Sequence, residues 1–149
     1  MDFKLSEDHV LLQEAYRDFA VEQVKPLAAE IDEKENFPLE NIKAMGELGF
    51  LGIPVPEEYG GAGVDTLSYV TCVEELSKVC ASTGVIVSAH TSLCIAPILE
   101  HGTPAQKQAY LPKLATGEWI GAFGLTEPGA GTDAAMQKTT AEDKGDHWL

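Results

Sequence analysis

Positive charge is scarce in this 149-residue chain: ten Lys and Arg stand against 24 Asp and Glu, for a net charge of −14. A field of that sign repels a phosphate backbone, whose binding needs clustered cations, so nucleic acid is excluded as a partner class. Cysteine is scarcer still. Cys72, Cys80 and Cys94 make an odd number with no C-x-x-C spacing, which argues against a disulfide framework and fits a reduced, cytosolic chain. His9, His90, His101 and His147 lack metal-ligand spacing and have no neighbouring cysteine pair, so no metal site is expected. There is no unbroken apolar run of the roughly 18–20 residues a membrane-spanning helix needs. The longest approach to one, "ASTGVIVSAHTSLCIAPILE", is interrupted by Ser, Thr, His and Pro. The opening "MDFKLSEDHVLL" has neither a basic nor a continuous apolar region, so no signal peptide is expected and no membrane insertion. P-loops, nucleophile elbows, internal repeats and low-complexity tracts are missing as well.

What remains is a chain that folds: 44% of it is apolar and 23% charged, unlike a disordered acidic segment. Ser6 is placed to cap a helix, with Glu7 and Asp8 in its first turn, and apolar residues recur at helical spacing from Leu12 to Ile31. Lys25-Pro26 kinks or divides that helix. A second helix starts at Pro38 and runs through Ile42 and Met45 to Gly49. "GIPVPEEYGGAGVD" is too rich in Pro and Gly for a regular element and reads as a long ordered loop. Asp65 caps a third helix whose apolar side is Leu67, Val70, Val73, Leu76 and Val79. A fourth, about 82–100, is apolar on nearly all faces and is expected in the middle of a bundle. In a fifth, Thr103, Pro104 and Gln106 make a capping box ahead of Leu111 and Leu114, and Gly117 ends it. Glu57-Glu58 and Glu74-Glu75 read as solvated charge.

"WIGAFGL", residues 119–125, changes character: a short apolar run that reads as a strand. Thr139, Thr140, the polar "EDKGD" and Trp148-Leu149 resemble the entry to a hairpin, with Trp119 and Trp148 at its two ends, and the sequence stops inside that second apolar run. A lone strand is not stable by itself, so the chain is expected to be the beginning of something longer.

After that strand comes "TEPGAGTD", where Pro128 and Gly129 specify a turn. Gly131 permits positive φ or a close approach of backbone to a ligand, and Thr126 and Thr132 add hydroxyls on either side. Exposed amides in such a turn can receive an anion or the polar edge of a heterocycle. A surface turn closing a strand and a ligand site are both open readings of these residues.

The ten residues Phe123, Gly124, Leu125, Thr126, Glu127, Pro128, Gly129, Ala130, Gly131 and Thr132 resemble the signature of the acyl-CoA dehydrogenase family. So do "LGIPVPEEYGG" at 51–61, "EELSKVCASTG" at 74–84 and "EHGTPAQKQAYLPKLATGEWIGAFGLTEPGAGTDA" at 100–135, in the right order, and the likeness is to the short-chain, butyryl-CoA type. The resemblance implies a mainly α fold: an N-terminal helical domain over 1–117, then the first strands of a middle β domain over 118–149. It implies FAD as cofactor, with Phe123 to Thr132 lining the flavin, the Leu125 and Thr126 positions at its ring, and Thr132 also touching acyl-CoA. Many members have Ser where this chain has Thr132. It further implies oxidation of a short acyl-CoA to the trans-2-enoyl-CoA, an electron-transfer flavoprotein as acceptor, a homotetramer, and a cytoplasmic home (the mitochondrial matrix if a targeting segment has been removed). The family's general-base Glu has no counterpart in residues 1–149, so no catalytic residue is assigned and the chain alone is expected to be inactive; Glu127 lies in the motif but does not match that base. The alternative is a non-catalytic helical binding or structural module completed by another chain.

Overall fold

Ser6 starts the first helix through its Oγ, which accepts the His9 N–H at 3.3 Å, and Glu7 and Asp8 occupy the first turn. The computed structural model describes residues 4–149, so the first three residues of the expected 1–117 helical domain lie outside it. Helix α1 (Glu7–Phe19) passes through a π-helical stretch, Ala20–Val24, into α2 (Lys25–Lys34), with Pro26 in the first turn of α2. Proline has no N–H to give, and its ring crowds the carbonyl four residues back. The division expected at Lys25-Pro26 therefore takes the form of a π insertion, without a break.

Helix α3 (Leu39–Glu47) begins just after Pro38, and Gly49 beyond it has φ 77°. The loop that follows is ordered by backbone hydrogen bonds, including Ala62 N–H to Gly52 O at 3.0 Å and Val64 N–H to Ile53 O at 2.9 Å. Asp65 caps α4 (Thr66–Ser77) by accepting the Ser68 N–H at 2.9 Å. The expected apolar side of α4 needs correction. Leu67 and Val70 are 46% and 51% exposed, whereas Ser68, Thr71, Cys72, Glu75 and Leu76 are buried. Helix α4 packs against α1 on one side and α5 on the other. Small residues suit that close approach, and their hydroxyls are satisfied locally: Ser68 Oγ donates to Asp65, and Thr71 Oγ1 to Leu67 O.

Glu75 is not solvated charge either. Its side chain is 2% exposed and accepts from Gln13 Nε2 at 3.0 Å, Lys78 Nζ at 2.8 Å and Arg17 Nη2 at 3.3 Å. Burial pushes its carboxyl up, but the hydrogen bonds from Lys78 and Arg17 outweigh that and leave it below the ordinary glutamate value.

Helices α5 (Ala81–Ser88) and α6 (Ala96–His101) are joined by a second π-helical stretch, Ala89–Ile95, into one 21-residue rod. By length and composition this rod could cross a membrane. Val87, His90 and Ile95 are fully buried along one side, while Val85 is 63% and Leu93 45% exposed on the other. Within these residues the rod is thus a flank of the bundle and not its centre, because no further helix covers its second side. Helix α7 (Pro104–Ala115) carries the complete capping box: Gln106 N–H to Thr103 Oγ1, and Thr103 N–H to Gln106 Oε1.

Two apolar clusters hold the bundle. The larger joins Tyr16, Phe19, Ile42, Met45, Leu51, Leu76 and Val87, with the Phe50 ring edge-on to both Tyr16 (4.9 Å) and Phe19 (5.3 Å). The smaller joins Val55, Ile95, Leu111, Leu114 and Ala115.

The expected onset of a β domain is overturned. Among the described residues there is no β-strand, only two isolated bridges, Glu127 with Ala130 and Asp143 with Trp148. Residues 120–126 run without regular hydrogen bonding, because no second segment lies alongside to form a ladder. The tail does fold back, with Glu142 and Leu149 exchanging two 3.0 Å hydrogen bonds across a turn at Gly145 (φ 93°), but the paired stretch is too short to be a strand. Trp119 does not mark a hairpin end. It lies beside Tyr110, with Lys113 Nζ 4.5 Å from its ring centre.

Candidate functional site

The segment leading to the Gly-rich corner is tied to the helical body before the corner begins. Gly117 ends α7 with φ 74°, a conformation favourable only to glycine, and turns the chain back. The Trp119 N–H then donates to Lys113 O at 3.0 Å. Two residues on, the Gly121 N–H donates to His90 Nδ1 at 2.8 Å, while His90 Nε2 lies 3.1 Å from Leu114 O. The partners fix the tautomer. A carbonyl oxygen can only accept, so Nε2 carries the proton; an amide can only donate, so Nδ1 is bare. Burial holds the His90 pKa below the ordinary histidine value, only partly offset by the hydrogen bond to Leu114, and the ring is neutral. A Cβ on Gly121 would stand 2.6 Å from Cys94 Cβ and Sγ, so the backbone passes there only because no side chain is present. The Cys94 thiol is raised by burial, opposed by a hydrogen bond with the Ala122 backbone.

The corner itself, Phe123 to Thr132, is closed by a reciprocal pair: Glu127 N–H to Ala130 O at 3.0 Å and Ala130 N–H to Glu127 O at 3.1 Å. Ala130 is its one buried residue. The Glu127 carboxylate is spent on structure. It accepts the Lys138 and Thr139 N–H groups at 2.8 and 3.0 Å, which, with the Thr139 side chain leading, hold it below the ordinary glutamate value. Gln137 Nε2 donates to Leu125 O, closing the loop from the other side. These bonds leave the N–H groups of Thr126, Gly131 and Thr132 and both threonine hydroxyls without partners among the described residues. Phe123 and Leu125 are 50% and 42% exposed beside them. Gly131 does not use positive φ, contrary to one reading of its sequence, and neither do Gly124 and Gly129; a Cβ at any of the three would meet open space.

Chemically, this corner offers hydrogen-bond donors, two apolar side chains and bare glycine backbone along one short segment. That set suits the polar edge and flat face of a heterocycle such as a flavin ring. No side chain in it is placed as an acid or base. No group of three or more His, Cys, Asp or Glu residues that could hold a metal occurs among the described residues. The histidine–glycine tether was not legible in the sequence, since its ends are 31 positions apart.

Residues 6–118 match the family "Acyl-CoA dehydrogenase, N-terminal domain". The short-chain specific acyl-CoA dehydrogenase of Clostridium acetobutylicum is 60% identical over 149 residues, which are all of this chain and 39% of that protein. Among solved structures, butyryl-CoA dehydrogenase from Megasphaera elsdenii superposes with a TM-score of 0.89 at 42% identity, covering 95% of this chain and 38% of that one. A chain in a structure described as the electron transferring flavoprotein of Acidaminococcus fermentans, towards a mechanism of flavin-based electron bifurcation, superposes with a TM-score of 0.95. It is 50% identical and covers all of this chain and 39% of its own. The chain thus spans less than two fifths of the length of these relatives. From the match over residues 6–118 and the identity to a short-chain enzyme across the full chain, this protein belongs to the acyl-CoA dehydrogenase family.

Proposed function

We propose that this chain supplies the N-terminal helical domain, and the Phe123–Thr132 flavin-contacting corner, of an FAD-dependent dehydrogenase acting on a short acyl-CoA. FAD, when bound, supplies the acceptor for the hydride lost as the acyl chain becomes the trans-2-enoyl thioester. The chain's own part is to bind and orient. The unpartnered amides and hydroxyls at Thr126, Gly131 and Thr132 give donors to the flavin edge, and donors aimed there favour the negative charge that reduction brings. Thr132 extends the same line of donors toward the acyl-CoA. The exposed side of the α5–α6 rod, with Val85 and Leu93, is apolar surface of the kind a thioester tail needs. The observation that carries this reading is the set of free donors beside open glycine backbone in a member of this family.

A short acyl chain is supported by its likeness to the short-chain specific Clostridium enzyme and to the Megasphaera butyryl-CoA dehydrogenase. An electron-transfer flavoprotein is the acceptor we propose, in line with the Acidaminococcus structure. We place the end of the helical domain at residue 117, and propose a homotetramer for the whole enzyme. The cytoplasm is our proposed compartment, with three unpaired thiols in its favour. The general base is assigned to a Glu outside these residues.

The test is Thr126→Val in the intact enzyme, which keeps volume and removes one donor. FAD occupancy after purification falls, or the visible flavin spectrum shifts. If both are unchanged, the Thr126 hydroxyl has no part in the site. The 149-residue chain alone, given butyryl-CoA, FAD and an artificial electron acceptor, shows no turnover above an FAD-only control.

A further inference from the structure

We propose that His90 is a positioning residue for the Phe123–Thr132 corner: as the Nε2–H tautomer it clamps Gly121 to the end of α7 and so sets where the corner begins. This rests on the flavin reading above and deepens it.

The segment that carries the corner has little else to hold it. It has no ladder partner among the described residues, and its backbone is tied to the helices by the Trp119, Gly121 and Ala122 amides. Of these, the Gly121 amide alone is received by a side chain that is itself fixed at its other end. His90 has no exposed surface, and both ring nitrogens are used. Leu114 O is one of the last carbonyls of α7; it accepts the Gly117 N–H at 3.1 Å, and a carbonyl oxygen has a second lone pair to receive the ring N–H. The ring therefore links three elements: the π-helical stretch that bears it, the end of α7, and the extended segment. Gly121 precedes Phe123 by two residues, so the clamp lies about 7 Å of extended chain from the corner. An imidazole costs more to bury than a leucine of similar size unless both nitrogens are satisfied, and here both are.

The two ends of the clamp can be cut separately in the intact enzyme. His90→Asn places an amide oxygen near the position of Nδ1, so it keeps the acceptor for Gly121 and loses Leu114. His90→Gln reaches Leu114 and loses the acceptor. Each variant forfeits one buried hydrogen bond, so a purely structural role predicts that both lose stability and flavin affinity alike. Positioning predicts a split. The FAD dissociation constant, measured by flavin fluorescence on the deflavinated enzyme, stays within about threefold of wild type for His90→Asn and weakens about tenfold for His90→Gln. Hydrogen exchange at the Gly121 amide is slow in wild type and His90→Asn and fast in His90→Gln. Equal FAD affinity in the two variants overturns the proposal. A wild-type enzyme that binds no FAD overturns the flavin reading, and the positioning role with it, while Gly121 exchange still reports whether the clamp exists. Should His90→Gln not fold, the imidazole 15N shifts of the wild-type enzyme decide: a protonated Nδ1 at neutral pH overturns the clamp.

Discussion

Replacing Glu75 with Gln should destabilise the helical body by about 2 kcal/mol. The carboxylate is 2% exposed and faces donors on three side chains: Gln13, Arg17 and Lys78. Glutamine keeps the shape but has one oxygen, and its NH2 group would point at a donor. Cutting one partner from a fully buried ion pair costs roughly 3–5 kcal/mol. Here Arg17 and Lys78 are each 49% exposed and can turn to water, so the loss is set by charge-assisted hydrogen bonds and not by a stranded charge. At about 3 °C per kcal/mol for a chain of this size, the melting temperature falls by about 6 °C. The control is Glu74→Gln, where the carboxylate is 58% exposed and pairs with Lys78 at the surface; it costs about 0.5 kcal/mol or less. Because the folded-state carboxyl of Glu75 titrates below its unfolded value, its contribution is complete above the unfolded value. It drains as pH falls toward the folded one. The stability curves of wild type and Glu75→Gln, followed by far-UV circular dichroism in urea, therefore converge in acid. Equal losses for Glu74→Gln and Glu75→Gln at neutral pH would refute the reasoning, as would a gap that persists unchanged into acid.

Gly121→Ala puts a methyl group 2.6 Å from Cys94 Cβ and Sγ, so something must shift; the cost is about 1–3 kcal/mol by urea unfolding, and neutrality would mean the segment is not packed on the rod as described. Thr103→Ala removes the hydroxyl that closes the capping box at the start of α7 and should cost about 1 kcal/mol in the same assay. The Cys72 thiol, fully buried and pushed up to about 12 by desolvation, should not react with a disulfide reagent at pH 8 until the chain unfolds. Prompt labelling of Cys72 in the folded protein, located by peptide mapping, would contradict its burial.

The parts of this fold that were legible in the sequence are those decided within a few residues. Ser6, Asp65 and the Thr103–Gln106 box each cap the helix they were read to cap, because a cap is a contact across three positions. Elements that depend on distant partners were not legible. The apolar run 119–125 has strand composition, yet strand formation is a property of two segments, and its amides go to Lys113, His90 and Cys94 instead. Glu75 looks like its neighbour Glu74 until α1 brings Gln13 and Arg17 against it. The burial of Ser68 and Thr71 ahead of Leu67 and Val70 follows from α4 being squeezed between two helices, which a period of 3.6 does not reveal.

The glycines separate what the fold requires from what it does not. Gly117 has positive φ, and a side chain there would meet Leu51; Gly121 has no room for a Cβ beside Cys94. Both identities are explained by this chain's own packing. Gly124, Gly129 and Gly131 differ: none has positive φ, and around each a Cβ would find nothing within 4 Å. Alanine would fit all three positions in these residues and would reduce the entropy lost on folding, so local stability argues against glycine there. The remaining physical reason for a bare backbone is close approach by something outside the chain. All three lie in the segment whose Thr126, Gly131 and Thr132 amides have no partner among the described residues, so the missing side chains and the free donors face the same requirement.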